Sequence, residues 1–325
     1  MAVRVSSKRP GFMPETPDMD ILSDVLHSFR LRARIFQKGS YCGAWALDST
    51  GMSRATFHLI GRGQAWLHHT GERAPVIVRG GDLVMFPHGD WHQISGTPQR
   101  QPGMCLEGVG DGPFTTVLCA MVEFAADGWN PIVQALPSVI VVRSEDQSTS
   151  AALHALARLM LAEYEAGAPG GQGVLDRFAE VMFVLVLRHH MQHTQHLTGL
   201  LAALKDERIA RALAALHRAP GTDWRVETLA RAAGMSRTVF ADRFTTLLGV
   251  TPMHYLAAWR MHLAEGMLCD QRCSVAQVAE RLGYQTEAAF RRAFRRVRGI
   301  GPGDVRRRAR TAAQTTTAEV KAATK

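Results

Sequence analysis

The chain carries the stretch VETLARAAGMSRTVFADRFTTLLGVTP at residues 226–252 and a second version of it, VAQVAERLGYQTEAAFRRAFRRVRGIGP, at residues 275–302. The turn glycine of the first copy returns 49 positions later, at Gly283, and the closing proline returns 50 positions later, at Pro302. The second copy therefore has one extra residue near its turn. A repeated unit of this length indicates one supersecondary element used twice, and it organises the C-terminal third of the chain.

Each copy has the pattern of two helices joined by a tight turn. Gly234 and Gly283 supply the left-handed backbone conformation that ends a helix, and Ser236 and Thr286 are the predicted N-caps of the second helices. This is the helix-turn-helix pattern, whose second helix enters the major groove of DNA. Helical spacing predicts that each second helix buries four apolar residues, namely Val239, Phe240, Phe244 and Leu247 in the first copy and Ala289, Phe290, Phe294 and Val297 in the second.

Positive charge is concentrated in the part of the chain that holds the repeat. The whole sequence has 38 Lys and Arg residues against 29 Asp and Glu residues, a net charge of +9. Residues 1–204 hold 16 basic and 18 acidic residues, whereas residues 205–325 hold 22 and 11, a balance of +11. A basic domain joined to a near-neutral one is the electrostatic footprint of a protein that binds the phosphate backbone and carries a separate sensing or catalytic module.

The remaining composition excludes several classes of protein. A chain of 325 residues with 46% hydrophobic and 21% charged residues is typical of a globular protein with two or three domains. The N-terminal segment lacks the apolar core of a secretory signal, and no apolar run approaches the roughly 20 residues of a membrane helix. The five cysteines are irregularly spaced and include no C-x-x-C pair, which predicts neither a disulfide framework nor a structural zinc site.

Residues 33–142 are predicted to form short β-strands separated by Gly, Pro and Asp, a pattern that indicates a sandwich or barrel. The segment GDLVMFPHGDWH at residues 81–92 adds a specific signal, because it matches the second cupin motif, G-x5-P-x-G-x2-H, at every fixed position. The region resembles the cupin family, which implies a double-stranded β-helix barrel of the jelly-roll type. The predicted strands are Arg34–Gln37, Gly43–Leu47, Thr56–Ile60, Gln64–His68, Pro75–Val78, Asp82–Phe86, Trp91–Ser95, Thr115–Phe124 and Ser138–Val142.

The first cupin motif is incomplete in this chain. By the same resemblance, metal-binding cupins supply an H-x-H pair and a downstream Glu here, but TFHLIGRG at residues 56–63 holds only His58 and no Glu. A metal site usually needs three or four protein ligands. Two alternatives stay open for His58 and His92: they ligate a metal, or they line a pocket or form hydrogen bonds inside the barrel. The sequence favours the second alternative, so we expect no cofactor and predict an effector pocket that includes His58, Trp66 and His92.

Helical patterns flank the predicted barrel. Asp20–Leu31 has one apolar face, and the stretch after the barrel reads as helices interrupted by GAPGGQG at residues 167–173. An apolar helical pair needs a partner surface, and we expect it to support a homodimer. His189, His193 and His196 are predicted to share one helix face, which suits either a metal or pH-sensing site or a solvated helix end. The sequence favours the helix end.

The C-terminal third carries further features of a known family. The linker between the copies reads YLAAWRMHLA at residues 255–264, and the second copy combines Gly-Tyr-Gln, Phe-Arg-Arg-Ala-Phe-Arg-Arg and Gly-Ile-Gly-Pro. Over residues 213–308 the chain resembles the DNA-binding domain of AraC/XylS-type bacterial transcription regulators, which implies that two recognition helices enter successive major-groove segments. The base-facing candidates implied by position are Arg237, Thr238, Ala241 and Asp242, then Glu287, Ala288, Arg291 and Arg292, while Arg243 and Arg295 are expected on phosphates or on the domain surface.

The two recognition helices differ in the chemistry that they offer to DNA. Arginine is the usual reader of guanine, and the second helix presents Arg291 and Arg292. The first helix presents Ala241 and Asp242, which suit a thymine methyl group or a cytosine amine. We therefore expect sequence reading to depend mainly on the second helix.

Together these patterns predict an α+β multidomain protein. Its fold class is an N-terminal cupin-like β-barrel of the jelly-roll type, a helical connector and a C-terminal all-α domain with tandem helix-turn-helix units. The predicted boundaries are 1–18 for a flexible arm, 19–145 for the cupin-like sensing domain, 146–204 for the connector and dimerisation helices, 205–310 for the DNA-binding domain and 311–325 for a disordered tail.

The predicted function is a sequence-specific, DNA-binding transcription regulator that senses a small molecule or a stress signal. Its expected partners are double-stranded promoter or operator DNA, a small-molecule effector, a second copy of the chain and RNA polymerase, with no membrane, in the cytoplasm at the bacterial nucleoid. One alternative is a metal-dependent cupin enzyme fused to a DNA-binding domain. Another is a thiol-based redox sensor that uses Cys42, Cys105 and Cys119, although burial in barrel strands favours inert thiols.

Overall fold

The computed structural model describes residues 20–72, 74–104, 113–124, 128–146, 150–270 and 273–308. The predicted arm at 1–18 and the predicted tail at 311–325 lie outside this part of the chain. Nine antiparallel strands are described, and each overlaps one of the predicted strands. They are β1 Arg32–Tyr41, β2 Ala46–Asp48, β3 Ala55–Arg62, β4 Gln64–His69, β5 Val76–Arg79, β6 Leu83–Phe86, β7 His92–Ser95, β8 Thr115–Glu123 and β9 Ile140–Val142.

The strands form two sheets, as expected for a jelly-roll cupin domain. The five-stranded sheet has the order β1-β8-β3-β6-β9, and the four-stranded sheet has the order β2-β7-β4-β5. Every recorded strand pair is antiparallel. The predicted cupin-like fold class is confirmed, with one difference: the described strands make two separate sheets and not one closed barrel.

The chain changes sheet between β3 and β4, at Gly63. This residue has a φ of +77°, in the left-handed region that favours glycine. A Cβ atom at this position would also press against the carbonyl oxygen of Phe114 and the Thr115 hydroxyl. Gly63 therefore allows the sharp corner that sends β4 into the second sheet and away from β3.

Helices precede the first strand and follow the last one, apart from one short helix between β8 and β9. None of the described helices combines the length and the apolar composition that a membrane crossing requires. The helices are α1 Ile21–Ser28, α2 Pro131–Gln134, α3 Ala151–Ala166, α4 Gly171–His193, α5 Gly199–Lys205, α6 Glu207–Arg218, α7 Val226–Ala232, α8 Arg237–Leu248, α9 Pro252–Cys269, α10 Val275–Arg281 and α11 Glu287–Arg298.

The central strands of the five-stranded sheet are buried on both faces. In β3 every residue from Ala55 to Ile60 is buried, and β8 has a similar pattern. One face packs towards the four-stranded sheet through a core that includes Trp45, Phe86 and Ile94. Helices α3 and α4 contact the other face through β1, β3 and β8. The central strands therefore read as continuous apolar runs, because neither of their faces meets water.

The predicted break in the connector is confirmed. Helix α3 ends at Ala166 and is followed by Gly167 in the left-handed conformation, with a φ of +56°. Helix α4 begins at Gly171, inside the predicted interruption, and runs to His193. Because α4 ends there, His196 lies beyond the helix. The prediction that His189, His193 and His196 share one helix face is therefore wrong.

Helix α9 joins the two helix-turn-helix units and takes part in two hydrophobic cores. Its N-terminal half, with Tyr255 and Trp259, packs in a core that also holds the first unit, the connector and the helix-facing side of the five-stranded sheet. Its C-terminal half, with Met261 and Leu268, packs in a separate core with the second unit. The helix-facing side of the five-stranded sheet thus shares a continuous core with the first unit but not with the second.

Candidate nucleic-acid interface and sensing site

The two predicted recognition helices are α8 and α11, and local interactions define where each begins and ends. The side chain of Ser236 accepts a hydrogen bond from the Val239 amide, and that of Thr286 accepts one from the Ala289 amide. Each helix ends at a glycine with a φ of +73°. The predicted caps and turn glycines are confirmed, so both helices have the geometry that the repeat implied.

The first recognition helix exposes most of the predicted base-facing residues. Arg237, Thr238 and Asp242 are exposed, and Ala241 is half-buried. Val239 was predicted to be buried but is 54% exposed. It lies beside the buried Phe240 and outside the stripe that continues at Phe244, because neighbours on a helix point about 100° apart. Val239 therefore joins the exposed face of α8, which helical periodicity did not predict, and it adds an apolar group of the kind that can contact a thymine methyl.

Two arginines of α8 already have acidic partners within the protein. The Nε of Arg237 lies 2.8 Å from Glu227 on α7, and the Nε of Arg243 lies 2.8 Å from Asp206, which caps α6. The Arg237 pair is exposed, and such pairs are weak and easily exchanged for a phosphate. The Arg243 pair ties α8 to the start of α6. Arg243 is exposed and has Asp206 as its partner, so a phosphate contact stays a prediction for this residue.

The second recognition helix, α11, carries more arginines than α8, and fewer of its exposed arginines are held in ion pairs. The Nε of Arg291 donates a 2.6 Å hydrogen bond to Glu287, one turn earlier on the same helix. Ala288, Arg292 and Arg295 are exposed. Arg292 and Arg295 form no ion pair with any residue that the structure describes. Both guanidinium groups are free to contact bases or phosphates without breaking a bond inside the protein.

A largely buried ion pair holds α11 on the linker helix. The Nη2 of Arg298 lies 2.8 Å from Glu265 on α9. This contact turns Arg298 inward and leaves its neighbour Val297 37% exposed, although Val297 was predicted to be buried. The predicted inward position of Phe290 and Phe294 is confirmed, since both are fully buried. The ion pair therefore helps to fix which face α11 presents.

In the cupin domain, His58 and His92 form a buried pair that bridges the two sheets. His58 lies on β3 and His92 on β7, and their Nε2 atoms are 2.7 Å apart. The Nδ1 of His92 is 2.8 Å from the carbonyl oxygen of Asp90, to which it donates. The Nε2 of neutral His92 then accepts the hydrogen bond that the Nε2 of His58 donates. Burial lowers the pKa of His92 to about 4, and burial together with His92 holds the pKa of His58 well below its usual value.

This geometry fits a hydrogen bond and does not fit a shared metal. Two imidazole nitrogens that each bind zinc at about 2.1 Å in a tetrahedral site lie roughly 3.4 Å apart. The His58 and His92 nitrogens are closer than that and point at each other. No group of three His, Cys, Asp or Glu residues within the described ranges is placed to hold a metal ion. The pair as it stands therefore lacks both the spacing and the third ligand.

Trp66 lies apart from the histidine pair. It lines a cavity of about 660 Å³ at one end of the sheets, together with Trp45, Gln64 and Thr97. Neither His58 nor His92 contributes to this cavity. The three residues predicted to form one effector pocket therefore divide between an open cavity and a closed hydrogen-bonded pair. The sequence did not predict that Trp45 lines this cavity. It identified Trp45 only as an apolar residue of the predicted strand Gly43–Leu47.

The other candidate residues are the histidines at the end of α4 and the cysteines of the predicted redox alternative. His189 and His193 pack ring to ring, with centroids 4.2 Å apart at the end of α4. Cys119 is buried in β8, and burial raises the pKa of its thiol well above the usual value, which disfavours the reactive thiolate. Cys42 is half-buried, and Cys105 lies outside the described residues.

Two family models match the chain. A model described as Cupin covers residues 20–192, and a model described as Helix-turn-helix domain covers residues 229–308. A putative AraC-like transcription regulator from Streptomyces lividans is 28% identical over 302 residues, which is 89% of this chain and 98% of that protein. An uncharacterised HTH-type transcriptional regulator from Haemophilus influenzae is 27% identical over 302 residues, 89% of this chain and 99% of its own length. Among solved structures, the DNA-binding domain of AdpA in complex with a target DNA is 34% identical, covers 33% of this chain and 96% of its own, and has a TM-score of 0.31.

Proposed function

The chain is an AraC-type DNA-binding transcription regulator and belongs to the cupin family through residues 20–192, and from this premise we propose how it works. Helices α8 and α11 read two successive major-groove segments of promoter DNA. The cupin domain senses a small molecule, and binding of that molecule changes the population of the DNA-competent form. Two copies of the chain bind DNA as a homodimer, and the bound dimer contacts RNA polymerase.

The observation that carries this proposal is the open face of the second recognition helix. Ala288, Arg292 and Arg295 are exposed on a helix whose opposite side is fixed by Phe290 and Phe294. A rigid helix with free guanidinium groups, in a region that carries a charge of +11, suits base reading in a major groove. The exposed face of α8 gives the second reading element.

The test is selection of DNA by the full-length protein. Purified chain is incubated with a pool of randomised duplexes, and the bound fraction is amplified and sequenced over several rounds. We expect enrichment of one motif with two conserved segments about one helical turn apart, since this is the distance at which one face of DNA repeats its major groove. Enrichment of no motif, or of a single short segment, would argue against reading by two helices.

The cavity beside Trp66 is the proposed effector site. Its volume of about 660 Å³ suits a small organic molecule, and Trp45 and Trp66 offer aromatic surfaces with Gln64 and Thr97 as polar partners. Replacing Trp66 with Ala is expected to abolish the effector response while leaving binding to the selected duplex unchanged. Loss of DNA binding in the same variant would place Trp66 in the structural core instead.

The outer face of the connector is the proposed dimer surface. Leu159 on α3 and Val181 on α4 are large apolar residues that are about half exposed, and Val174 lies on the same side of α4. Val174, Phe178, Val181 and Leu185 recur at spacings of four, three and four residues, which is the spacing of a helix-helix contact. Val181→Glu is expected to convert a dimer into a monomer in sedimentation experiments, whereas Arg208→Glu, a charge reversal at an exposed position on α6, should not.

We propose no catalytic role for the cupin domain. The curated relatives named above are transcription regulators, and the pair formed by His58 and His92 offers neither a metal site nor a free general base. Metal analysis of the purified protein tests this point. A stoichiometric transition metal bound by wild type and lost in a His58→Ala variant would support the enzyme alternative.

A further inference from the structure

The two helix-turn-helix units have separate hydrophobic cores, and these cores divide the linker helix between them. Tyr255 and Trp259 of α9 belong to the core of the first unit, whereas Met261 and Ala264 belong to the core of the second. Arg260 lies at the boundary. Separate cores would leave the second unit attached mainly through one helix, so contacts near this boundary decide how firmly the two recognition helices are held relative to each other.

Arg260 is bonded to the segment that leads into the first unit. Its Nε donates a 2.7 Å hydrogen bond to the carbonyl oxygen of Pro220, and its Nη2 donates a 2.8 Å hydrogen bond to that of Thr222. Both carbonyls belong to the loop between α6 and α7. Hydrogen bonds from a charged donor are stronger than neutral ones, and a guanidinium group can reach two carbonyls in one fixed orientation.

The same side chain meets the turn of the second unit. The Cζ of Arg260 lies 5.7 Å from the centre of the Tyr284 ring, within the range of a cation–π contact. Gly283, with a φ of +77°, packs directly on Gly221, and a Cβ at either position would collide with a backbone carbonyl of the other segment. The loop between α6 and α7 and the turn of the second unit thus touch backbone to backbone. Arg260 contacts both of these segments.

We propose that Arg260 is a positioning residue that sets the distance and angle between α8 and α11, and so determines which spacing of the two DNA segments the protein accepts. The proposal rests on the proposed function, in which both helices read DNA. Two linked binding modules gain affinity from each other only when their geometry matches the separation of their sites. A rigid joint therefore gives strong binding at one spacing and weak binding at others.

The test uses the full-length chain and the duplex that wild type selects from a randomised pool. Versions of this duplex have one or two base pairs inserted or removed between the two conserved segments. For wild type, we expect affinity to fall by about a hundredfold when the spacing changes. For Arg260→Ala, we expect about a tenfold loss at the original spacing and less than about a threefold further change at the others.

Two variants keep the test clear of folding and charge effects. Arg260→Lys retains the charge but cannot bond two carbonyl oxygens in the same fixed geometry. The dependence of its affinity on the spacing of the two DNA segments should be intermediate between that of wild type and that of Arg260→Ala. Its helical content by circular dichroism should be unchanged. Arg208→Ala removes the same charge from the exposed face of α6, and its profile should parallel that of wild type.

The outcomes separate this proposal from the proposed function. Equal loss of affinity at every spacing in Arg260→Ala, or a profile as steep as that of wild type, would overturn the role of Arg260. Failure of wild type to select any motif with two segments would instead overturn the reading of DNA by two helices.

Discussion

Arg291 and Arg292 are neighbours in the sequence, but they have different partners. Arg291 is held by Glu287 through a 2.6 Å hydrogen bond, so a base that recruits it must compete with an existing carboxylate. Arg292 is exposed and forms no ion pair within the described residues. From the sequence, both arginines were predicted to contact bases, with no difference between them. We therefore expect Arg292 to contribute more than Arg291 to the discrimination between bases.

Arg292→Ala is therefore expected to weaken binding to the selected duplex by about 1–3 kcal/mol and to relax its preference at one base pair. Fluorescence anisotropy with the selected duplex and with a shuffled duplex measures both effects. Arg296→Ala, on the same helix and also exposed, should weaken binding to the two duplexes equally. If Arg292→Ala shows that same equal loss, Arg292 contacts a phosphate and does not read a base.

The histidine pair shows what a motif can and cannot reveal. The cupin motif predicted that His92 points into the domain, and the structure places it there. The 2.7 Å distance to His58 depends on how β3 and β7, which lie in different sheets, approach across the core. No local pattern in the sequence encodes that approach, so the choice between a pocket, a metal site and a hydrogen bond needed the tertiary structure.

Burial of neutral His92 is expected to make the fold less stable in mild acid. Its folded-state pKa of about 4 lies below the ordinary value of 6.5, because burial disfavours the charged ring. Between these two values the unfolded chain binds more protons than the folded one, so stability is lost as the pH falls from about 6.5 to about 4. The loss from this one group is about 1.4 kcal/mol per pH unit. Urea unfolding at pH 7 and pH 5 should show a smaller pH effect in His92→Gln than in wild type, while the exposed-site variant His27→Gln should behave as wild type.

At the scale of elements, periodicity predicted the strands, the recognition helices and the connector break because each of these is a local pattern. It failed for residues beside the buried stripe. Val297 and Arg298 are adjacent on α11, and composition alone places the valine inside. The carboxylate of Glu265 on α9 reverses this order by drawing Arg298 inward. Such a choice is made by a partner on another element and is not visible in the helix itself.

Removing this carboxylate is expected to loosen α11. Glu265→Gln leaves the buried guanidinium of Arg298 without its charged partner, which should lower the free energy of unfolding by about 2 kcal/mol, less than for a fully buried pair. Chemical denaturation measures the change. Glu280→Gln, an exposed carboxylate on α10, serves as the matched control and should have an effect below about 0.5 kcal/mol. An effect of Glu265→Gln as small as that of the control would show that Phe290 and Phe294 alone hold the helix.

At the scale of the whole molecule, the N-terminal part of the cupin domain contacts the linker helix α9 directly. The ring of Phe29, just after α1, stacks on His262 of α9 with centroids 3.8 Å apart and also contacts Trp259. The Nε2 of His262 donates a 3.1 Å hydrogen bond to the carbonyl oxygen of Ser28. Arg30 forms an ion pair with Asp270 at the end of α9. A change in the cupin domain therefore has a contact path to the helix that joins both reading units.

Phe29→Ala is expected to uncouple the sensing region from α9 while both regions stay folded. The substitution removes a fully buried ring from the contact between residues 28–30 and α9. It should lower the free energy that holds these two regions together by about 3–5 kcal/mol. Hydrogen exchange detects this as local opening: amides of α9 around Trp259 and His262 should exchange at least about tenfold faster, while amides of β3 and β8 keep their protection. We also expect the effector response proposed above to be lost, because these contacts are the proposed route from the cupin domain to α9. Phe114→Ala, at a residue that is 63% exposed, should leave hydrogen exchange in α9 and in the central strands unchanged. Equal acceleration in α9 and in the central strands would mean that Phe29 supports the whole fold and does not specifically link sensing to DNA binding.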